Sequence, residues 1–200
     1  MTDQMRTYRS AAAGNIGPGF KPGFFPDSLW EDQNFDVLAI TVPGGNNAPT
    51  AYTIPTKGLV LPSFPDGNDV TEAPGSKELA HAWEIGTSIY PHFHLRKLDD
   101  GAGDVYFGFE YEVLQGSTLL EGTLTKTFTV TDLTTLNEES IVAFDAIDLS
   151  TITDVGAQIT FRLFRNPTDA ADDFAGDVAV TTVGWHYLRD SSGSRSIASK

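Results

Sequence analysis

The chain contains no cysteine among its 200 residues. This absence excludes a disulfide framework, a thiolate nucleophile and a cysteine-ligated zinc site, and it agrees with synthesis in a reducing cytoplasm. No stretch approaches the roughly 18 consecutive apolar residues of a membrane-spanning helix. The first residues also lack the basic and apolar regions of a signal peptide. We therefore expect neither a membrane span nor an export signal.

Basic residues are scarce, since 13 Lys and Arg stand against 27 Asp and Glu and give a net charge of −14. An acidic body repels nucleic acid and anionic membranes, so we expect neither of them as a partner. Both ends of the chain carry a small excess of basic residues. Basic ends would suit docking on an acidic neighbour or on a copy of the same chain, although chance variation explains them equally well.

The length and the hydrophobic content of 40% are those of one domain with a sizeable core. We divide the chain into an extended N-terminal arm (1–29), a folded domain (30–190) and a C-terminal tail (191–200). The arm is rich in Gly and Pro, which break helices and strands, yet a plain flexible linker rarely carries aromatic side chains. Four aromatic residues are therefore candidate anchors on a partner or on the chain's own domain: Tyr8, Phe20, Phe24 and Phe25.

Apolar and polar residues alternate with a period of two through most of the folded domain, which is typical of half-buried strands. The predicted strands are 35–42, 58–64, 78–85, 88–98, 104–114, 119–131, 140–147, 157–165 and 177–188. Short helices are predicted only over 134–139 and 169–174. Many strands with almost no helix predict an all-β antiparallel sandwich or barrel, and a jelly roll is the member of this class that we expect.

The segment 88–114 is predicted to form a hairpin around a turn at 99–103. Pairing Phe93 with Phe109 and Leu95 with Phe107 separates an apolar face from a polar one, which favours that alignment. The polar face would then hold His92, His94, Arg96, Glu110 and Glu112, with His92 opposite Glu110. We interpret these five residues, together with His81 and His186, as candidates for a polar patch on the surface or at a subunit contact.

Two weaker interpretations concern chemistry. The spacing from Gly86 to His92 and His94 resembles the opening of the cupin metal motif, but the glutamate of that motif is missing and His186 lies in no second motif. Glu110 and Glu112 would suit a sugar-cleaving carboxylate pair, and are equally ordinary on a solvated strand. Common catalytic motifs are absent from the sequence. We therefore predict no enzyme, no metal ligand and no cofactor.

Two segments resemble a group of small β-rich, jelly-roll-like virion proteins of tailed bacteriophages that share a P-H-x-H motif. The first, 82–94, reads AWEIGTSIYPHFH, and the second, 184–195, reads GWHYLRDSSGSR. Between them, 105–111 supplies the strand that ends in Glu-Tyr in this group, and the order of the pieces agrees. The chain departs from the group at Leu95, where an aromatic residue is expected.

This resemblance implies a bacteriophage virion structural protein rather than a catalyst. We expect a capsid decoration or cement protein, or a head- or tail-associated component, located in the virion and assembled in the host bacterial cytoplasm. Its partners would be other virion proteins and copies of itself, in a trimer by analogy with jelly-roll virion proteins. The alternatives are a carbohydrate- or receptor-binding module of a phage fibre and, more remotely, a cupin-like metalloprotein.

Overall fold

The fold is described from a computed structural model of the chain, which describes residues 29–36, 47–55 and 57–190. Within these ranges the regular structure consists of ten strands and one short 3₁₀ turn at Val130–Asp132. The strands are β1 (Leu29–Asp36), β2 (Thr50–Thr53), β3 (Val60–Phe64), β4 (Thr71–Glu78), β5 (Ile89–Lys97), β6 (Asp104–Gln115), β7 (Thr118–Thr129), β8 (Glu139–Ala143), β9 (Gln158–Arg165) and β10 (Val178–Arg189).

The strands form two antiparallel sheets packed as a sandwich. The first sheet has the order β2-β3-β10-β5-β8, with β1 also paired to β10, and the second has the order β4-β9-β6-β7. Thus β3 pairs with β10, β4 with β9, β5 with β8 and β6 with β7. This nesting is that of one long hairpin rolled into two layers, which is the jelly-roll topology. The predicted fold class is confirmed.

The core lies between the two sheets and is dominated by aromatic rings. Phe93 of the first sheet contacts Phe107 of the second, with ring centroids 4.6 Å apart. Phe109 stacks on Phe161 at 5.3 Å, and Trp185 meets the Phe161 ring edge to face. All five of these rings are at most 2% exposed. Rings of this size dominate the free energy of burial, so the aromatic layer holds the two sheets together.

The predicted hairpin is wrong, because β5 and β6 belong to different sheets. β5 pairs with β10 and β8, whereas β6 pairs with β7 and β9. The apolar side chains do share the dry interior, but Phe93 and Phe107 meet across the sandwich instead of along a ladder. The polar side chains of the two strands therefore lie on opposite outer surfaces of the molecule, and His92 does not face Glu110.

The strands β2 and β4 were not predicted from the sequence. β4 reads TEAPGSKE, and Pro, Gly and charged residues are poor strand formers. It lies at the edge of the second sheet, where Pro74 is tolerated because one side of the strand needs no ladder partner. Gly75 is required for packing, since a Cβ there would lie 2.5 Å from Cζ of Phe161. A buried ring on the neighbouring strand thus replaces the missing side chain.

Other predicted elements also differ from the structure. The segment 79–88 forms turns instead of a strand, and local hydrogen bonds from the N–H of Trp83 to the carbonyl of Ala80 and from the N–H of Thr87 to the carbonyl of Glu84 close them. The predicted strand 35–42 overlaps only the end of β1, and 37–46 lies outside the described residues. The segments 134–139 and 169–174 contain turns and no helix. None of the described segments is a helix long and apolar enough to cross a bilayer.

One charged side chain crosses the interior at an end of the sandwich. Arg165 of β9 is 0% exposed and binds Asp172 through two hydrogen bonds of 2.9 Å. Its remaining N–H groups donate to the carbonyls of Phe64, Gly176 and Phe174 at 2.8–3.0 Å. A buried guanidinium is tolerated only with this degree of pairing. The network fixes the loop between β9 and β10 against the end of β3.

Candidate functional site

Three neighbouring strands bring histidines and acids together on the outer surface of the first sheet. Asp32 of β1 lies directly opposite His186 of β10, and His186 lies opposite Tyr90 of β5. His92 follows two residues after Tyr90 and therefore points to the same side. We call the group Asp32, His92 and His186 the histidine cluster.

The cluster is compact but its members are not in direct hydrogen-bond contact. The two oxygens of Asp32 face different imidazoles: Oδ1 lies 3.7 Å from Nε2 of His92, and Oδ2 lies 3.8 Å from Nε2 of His186. The two rings stack with centroids 4.3 Å apart and planes 13° from parallel. One nitrogen or oxygen atom from each residue lies within 4.8 Å of the others. These separations exceed hydrogen-bond distance and leave room between the groups.

His92 is unusual because it is buried on the side of the sheet that faces away from the core. Only 1% of the residue is exposed, and within the part of the chain that the structure describes neither ring nitrogen has a hydrogen-bond partner. Burial lowers the pKa of His92 below its ordinary value, against the opposing charge of Asp32. The neutral ring, with one free lone pair, is therefore the favoured state.

The carboxylate of Asp32 is oriented by a neighbour on its own strand. The side-chain amide of Asn34 donates a 2.7 Å hydrogen bond to Oδ2 of Asp32. Asn34 lies opposite Gly184 of β10, and a Cβ at Gly184 would collide with the Asn34 side chain and with the backbone of Gln33. The glycine thus provides the space in which Asn34 supports the carboxylate.

Further groups border the cluster on the same face. His94 lies 5.8 Å from His92 between ring centroids, and its Nδ1 is 3.0 Å from Oε1 of Glu139. At the other end, Trp30 and Tyr90 meet edge to face at 5.3 Å and are 57% and 40% exposed. This surface therefore combines imidazoles, carboxylates and two solvent-facing aromatic rings.

Only part of the predicted polar patch is brought together. His92, His94 and His186 are neighbours, and Arg96 lies next along the same face of β5. Glu110 and Glu112 line a shallow depression of about 640 Å³ on the second sheet. There Arg162 bridges Glu110 at 2.7 Å and Glu72 at 2.6 Å.

His81 lies apart from the cluster, in the turn after β4, where its Nε2 is 2.6 Å from Glu78. The predicted arm anchors Tyr8, Phe20, Phe24 and Phe25 lie outside the described residues.

Sequence reasoning missed Asp32 and Asn34. They precede the predicted first strand, and no periodic pattern in 29–36 indicates a partner strand. The missing information was the pairing of β1 with β10, which joins residues between 146 and 160 positions apart. The sequence did single out His92 and His186, but it paired His92 with His94.

The segments 82–94 and 184–190, on which the expected resemblance to phage proteins rests, are adjacent in space. β5 and β10 are hydrogen-bonded neighbours, with Pro91 opposite Trp185 and Tyr90 opposite His186. The turn before β5 joins the same unit, because the N–H of Glu84 donates to the carbonyl of Leu188 at 2.7 Å. Residues from both segments thus form one continuous unit, and His92 and His186 belong to it.

No family model and no curated protein matches the chain. Among solved structures it is similar to dimeric latent PorU from Porphyromonas gingivalis, with 10% identity, 86% coverage of this chain, 14% of that chain and a TM-score of 0.37. It is also similar to the structures of infectious bursal disease virus Gx strain (11% identity, 92% and 43% coverage, TM-score 0.34) and Gt strain (12%, 91% and 41%, 0.32). The chain spans less than half the length of each of these proteins. Likenesses of this degree carry no functional argument.

Proposed function

We propose that the chain is a structural component of a bacteriophage particle, either a capsid decoration or cement protein or a head- or tail-associated part. The observation that carries the proposal is that the two segments that resemble phage proteins lie next to each other in space. Residues 82–94 and 184–190 are far apart in the chain, yet they meet along β5, β10 and the turn around Trp83. Two resembling segments that lie together in one structural unit support a shared fold more strongly than two resembling segments that do not touch.

The arrangement of the acids supports a building block over a catalyst. Glu110 shares Arg162 with Glu72, so it is held in an ion-pair network on the open face of the second sheet. The imidazoles lie on the opposite face of the sandwich. General acid–base chemistry needs such groups within reach of one substrate, and a whole sandwich separates Glu110 and Glu112 from the imidazoles, so these two glutamates and the histidines do not form one acid–base site.

In this proposal the protein acts by docking. The acidic body makes contact with copies of itself, in a trimer, and the basic ends with their aromatic residues contact the particle. Aromatic side chains that fill pockets are common anchors at protein interfaces. The jelly-roll topology supports such a role without selecting it, because lectin domains and cupins share it with viral shell proteins.

Quantitative mass spectrometry of purified particles tests the proposal. Particles of a phage that encodes this chain should contain it at a fixed copy number after density-gradient purification and a salt wash. The purified chain should sediment as a trimer. Particles that lack the chain while the lysate contains it would overturn the proposal. A monomer at high concentration would rule out the proposed trimer.

A glycan- or receptor-binding module is the second candidate, and the exposed pair Trp30 and Tyr90 favours it. Sugar-binding surfaces combine a solvent-facing aromatic ring with polar side chains, and here Asp32, Asn34 and His186 lie on the same face of the sheet as the rings. Particles carrying Trp30→Ala should assemble normally and lose adsorption to the host cell. Leu59→Ala is the matched control, since Leu59 is 59% exposed and outside this cluster. Unchanged adsorption of the Trp30 variant would exclude this candidate.

A further inference from the structure

The histidine cluster has the composition of a metal site and contains a buried imidazole, His92, whose two nitrogens both lack a hydrogen-bond partner among the described residues. Its donor set is two imidazole nitrogens and one carboxylate oxygen, drawn from three different strands. Independently of this composition, the His92 ring is 1% exposed and, in the described ranges, has no hydrogen-bond partner at either nitrogen. A buried polar atom without a partner carries a desolvation cost that a bound ligand would remove.

We propose that His92, His186 and Asp32 bind one divalent transition-metal ion of the zinc type, through Nε2 of each imidazole and a carboxylate oxygen. Imidazole nitrogen selects such ions over Mg²⁺ and Ca²⁺, which prefer sites made of oxygen. Three protein ligands leave at least one position for water or for a group from a partner. This proposal does not depend on the proposed particle role.

The observed distances are close to those that a bound ion requires. Ligands at about 2.0–2.2 Å from zinc lie roughly 3–3.6 Å from one another. The contacts of 3.7 Å and 3.8 Å run to different oxygens of Asp32, and one ligand atom from each of the three residues lies within 4.8 Å of the others. Binding through one carboxylate oxygen therefore requires the three groups to draw together by about 1 Å. The nearly parallel imidazoles also require one ring to turn, because lone pairs in parallel planes do not meet at one point. His186 is the ring that turns, since its side chain is 45% exposed and that of His92 is buried.

The surroundings fit the same assignment. Asn34 holds the Asp32 carboxylate through Oδ2 and corresponds to the outer-shell hydrogen bond that usually orients a metal ligand. His94 is not a member of the set, because the ligand atoms that lie within 4.8 Å of one another belong to Asp32, His92 and His186. A bound ion would connect β1, β10 and β5, and so fasten the edge strand β1 to the sheet.

Metal titration of the untagged full chain tests the proposal. After chelator treatment and removal of the chelator, Zn²⁺ should bind with a stoichiometry of one by calorimetry and raise the melting temperature. Co²⁺ should give a visible spectrum that reports nitrogen and oxygen ligation. His186→Ala and Asp32→Asn alter surface-accessible side chains. Each should weaken Zn²⁺ binding by at least about tenfold, because replacing a residue that only orients a metal ligand already costs about that much affinity.

Two control variants locate the site. His81→Ala removes a histidine that pairs with Glu78, and His94→Ala removes the neighbour that the sequence pattern favoured. Both should bind Zn²⁺ with unchanged stoichiometry and an affinity within about threefold of the parent. The proposal is overturned if the parent chain shows no saturable binding up to millimolar Zn²⁺. It is equally overturned if His186→Ala and Asp32→Asn bind normally, or if either control loses binding to the same degree.

Discussion

Two buried polar side chains, Arg165 and His92, differ in how fully they are hydrogen-bonded. Arg165 is enclosed by Asp172 and three carbonyl groups, and its donors are matched to acceptors. His92 is just as inaccessible, yet across the described residues neither of its nitrogens is hydrogen-bonded. The first arrangement is that of a structural group, whose interactions are complete without a ligand. In the second arrangement, the metal ion that we propose would supply the interaction that His92 lacks.

The largest effect is expected at Arg165. Arg165→Ala leaves Asp172 buried without its partner, and breaking a buried ion pair in this way costs about 3–5 kcal/mol. The free energy of unfolding from urea denaturation should fall by that amount. A loss below about 1 kcal/mol would show that the network is not structural, and the contrast with His92 would then fail.

A much smaller loss is expected at His92 in the absence of metal. His92→Leu removes an unpaired polar group and keeps a similar volume, so the unfolding free energy in chelator should stay within about 1.5 kcal/mol of the parent. The same urea experiment provides the comparison. A loss as large as that of Arg165→Ala would mean that His92 makes structural interactions of its own.

The pH dependence of stability gives a further contrast. Burial lowers the pKa of His92 below its ordinary value of 6.5; His186 and His94 lower this pKa further, whereas Asp32 and the backbone of Tyr90 raise it. The unfolded chain therefore binds the proton at higher pH than the folded chain. The stability contribution is complete above pH 6.5 and is lost as the pH falls toward the lower folded pKa.

Urea midpoints between pH 5 and pH 7.5, measured in chelator, check this expectation. The parent chain should lose stability through the acid half of that range, and His92→Leu should lose less. Parallel curves for the two proteins would show that His92 does not titrate with a lowered pKa.

The smallest effect is expected at Arg162, three residues before Arg165 on the same strand. Its side chain is 40% exposed and pairs with Glu72 and Glu110 at the surface. Exposed ion pairs contribute about 0–1 kcal/mol and are screened by salt. Arg162→Ala should therefore change the unfolding free energy by no more than this, and 1 M NaCl should reduce the difference. A loss comparable to that of Arg165→Ala would contradict the surface assignment.

The fold class was accessible from the sequence because alternation identifies half-buried strands without knowledge of their partners. The rings of Phe93, Phe107 and Phe109 were correctly assigned to the interior for this reason. Partner choice was not accessible, because most consecutive strands of the jelly roll lie in different sheets: β3 to β6 alternate between the sheets, as do β7 to β10, although β6 does pair with β7. The hairpin prediction failed on that point.

The inability to predict strand pairing from the sequence also limited what could be predicted of the histidine cluster. His92 and His186 stood out as residue types, but their contact depends on the pairing of β5 with β10. Asp32 and Asn34 carried no signal, because a short polar segment such as β1 becomes a strand only when β10 offers it an edge. Residue chemistry could be read directly, and long-range pairing required the structure.

Electron cryo-microscopy of intact particles tests the proposed function most directly. The account predicts density for the two-layered sandwich at symmetry-related positions on the head or the tail, with at least one contact to another particle protein. Particles that are fully assembled and contain no such density would contradict it, and the chain would then have to act outside the virion.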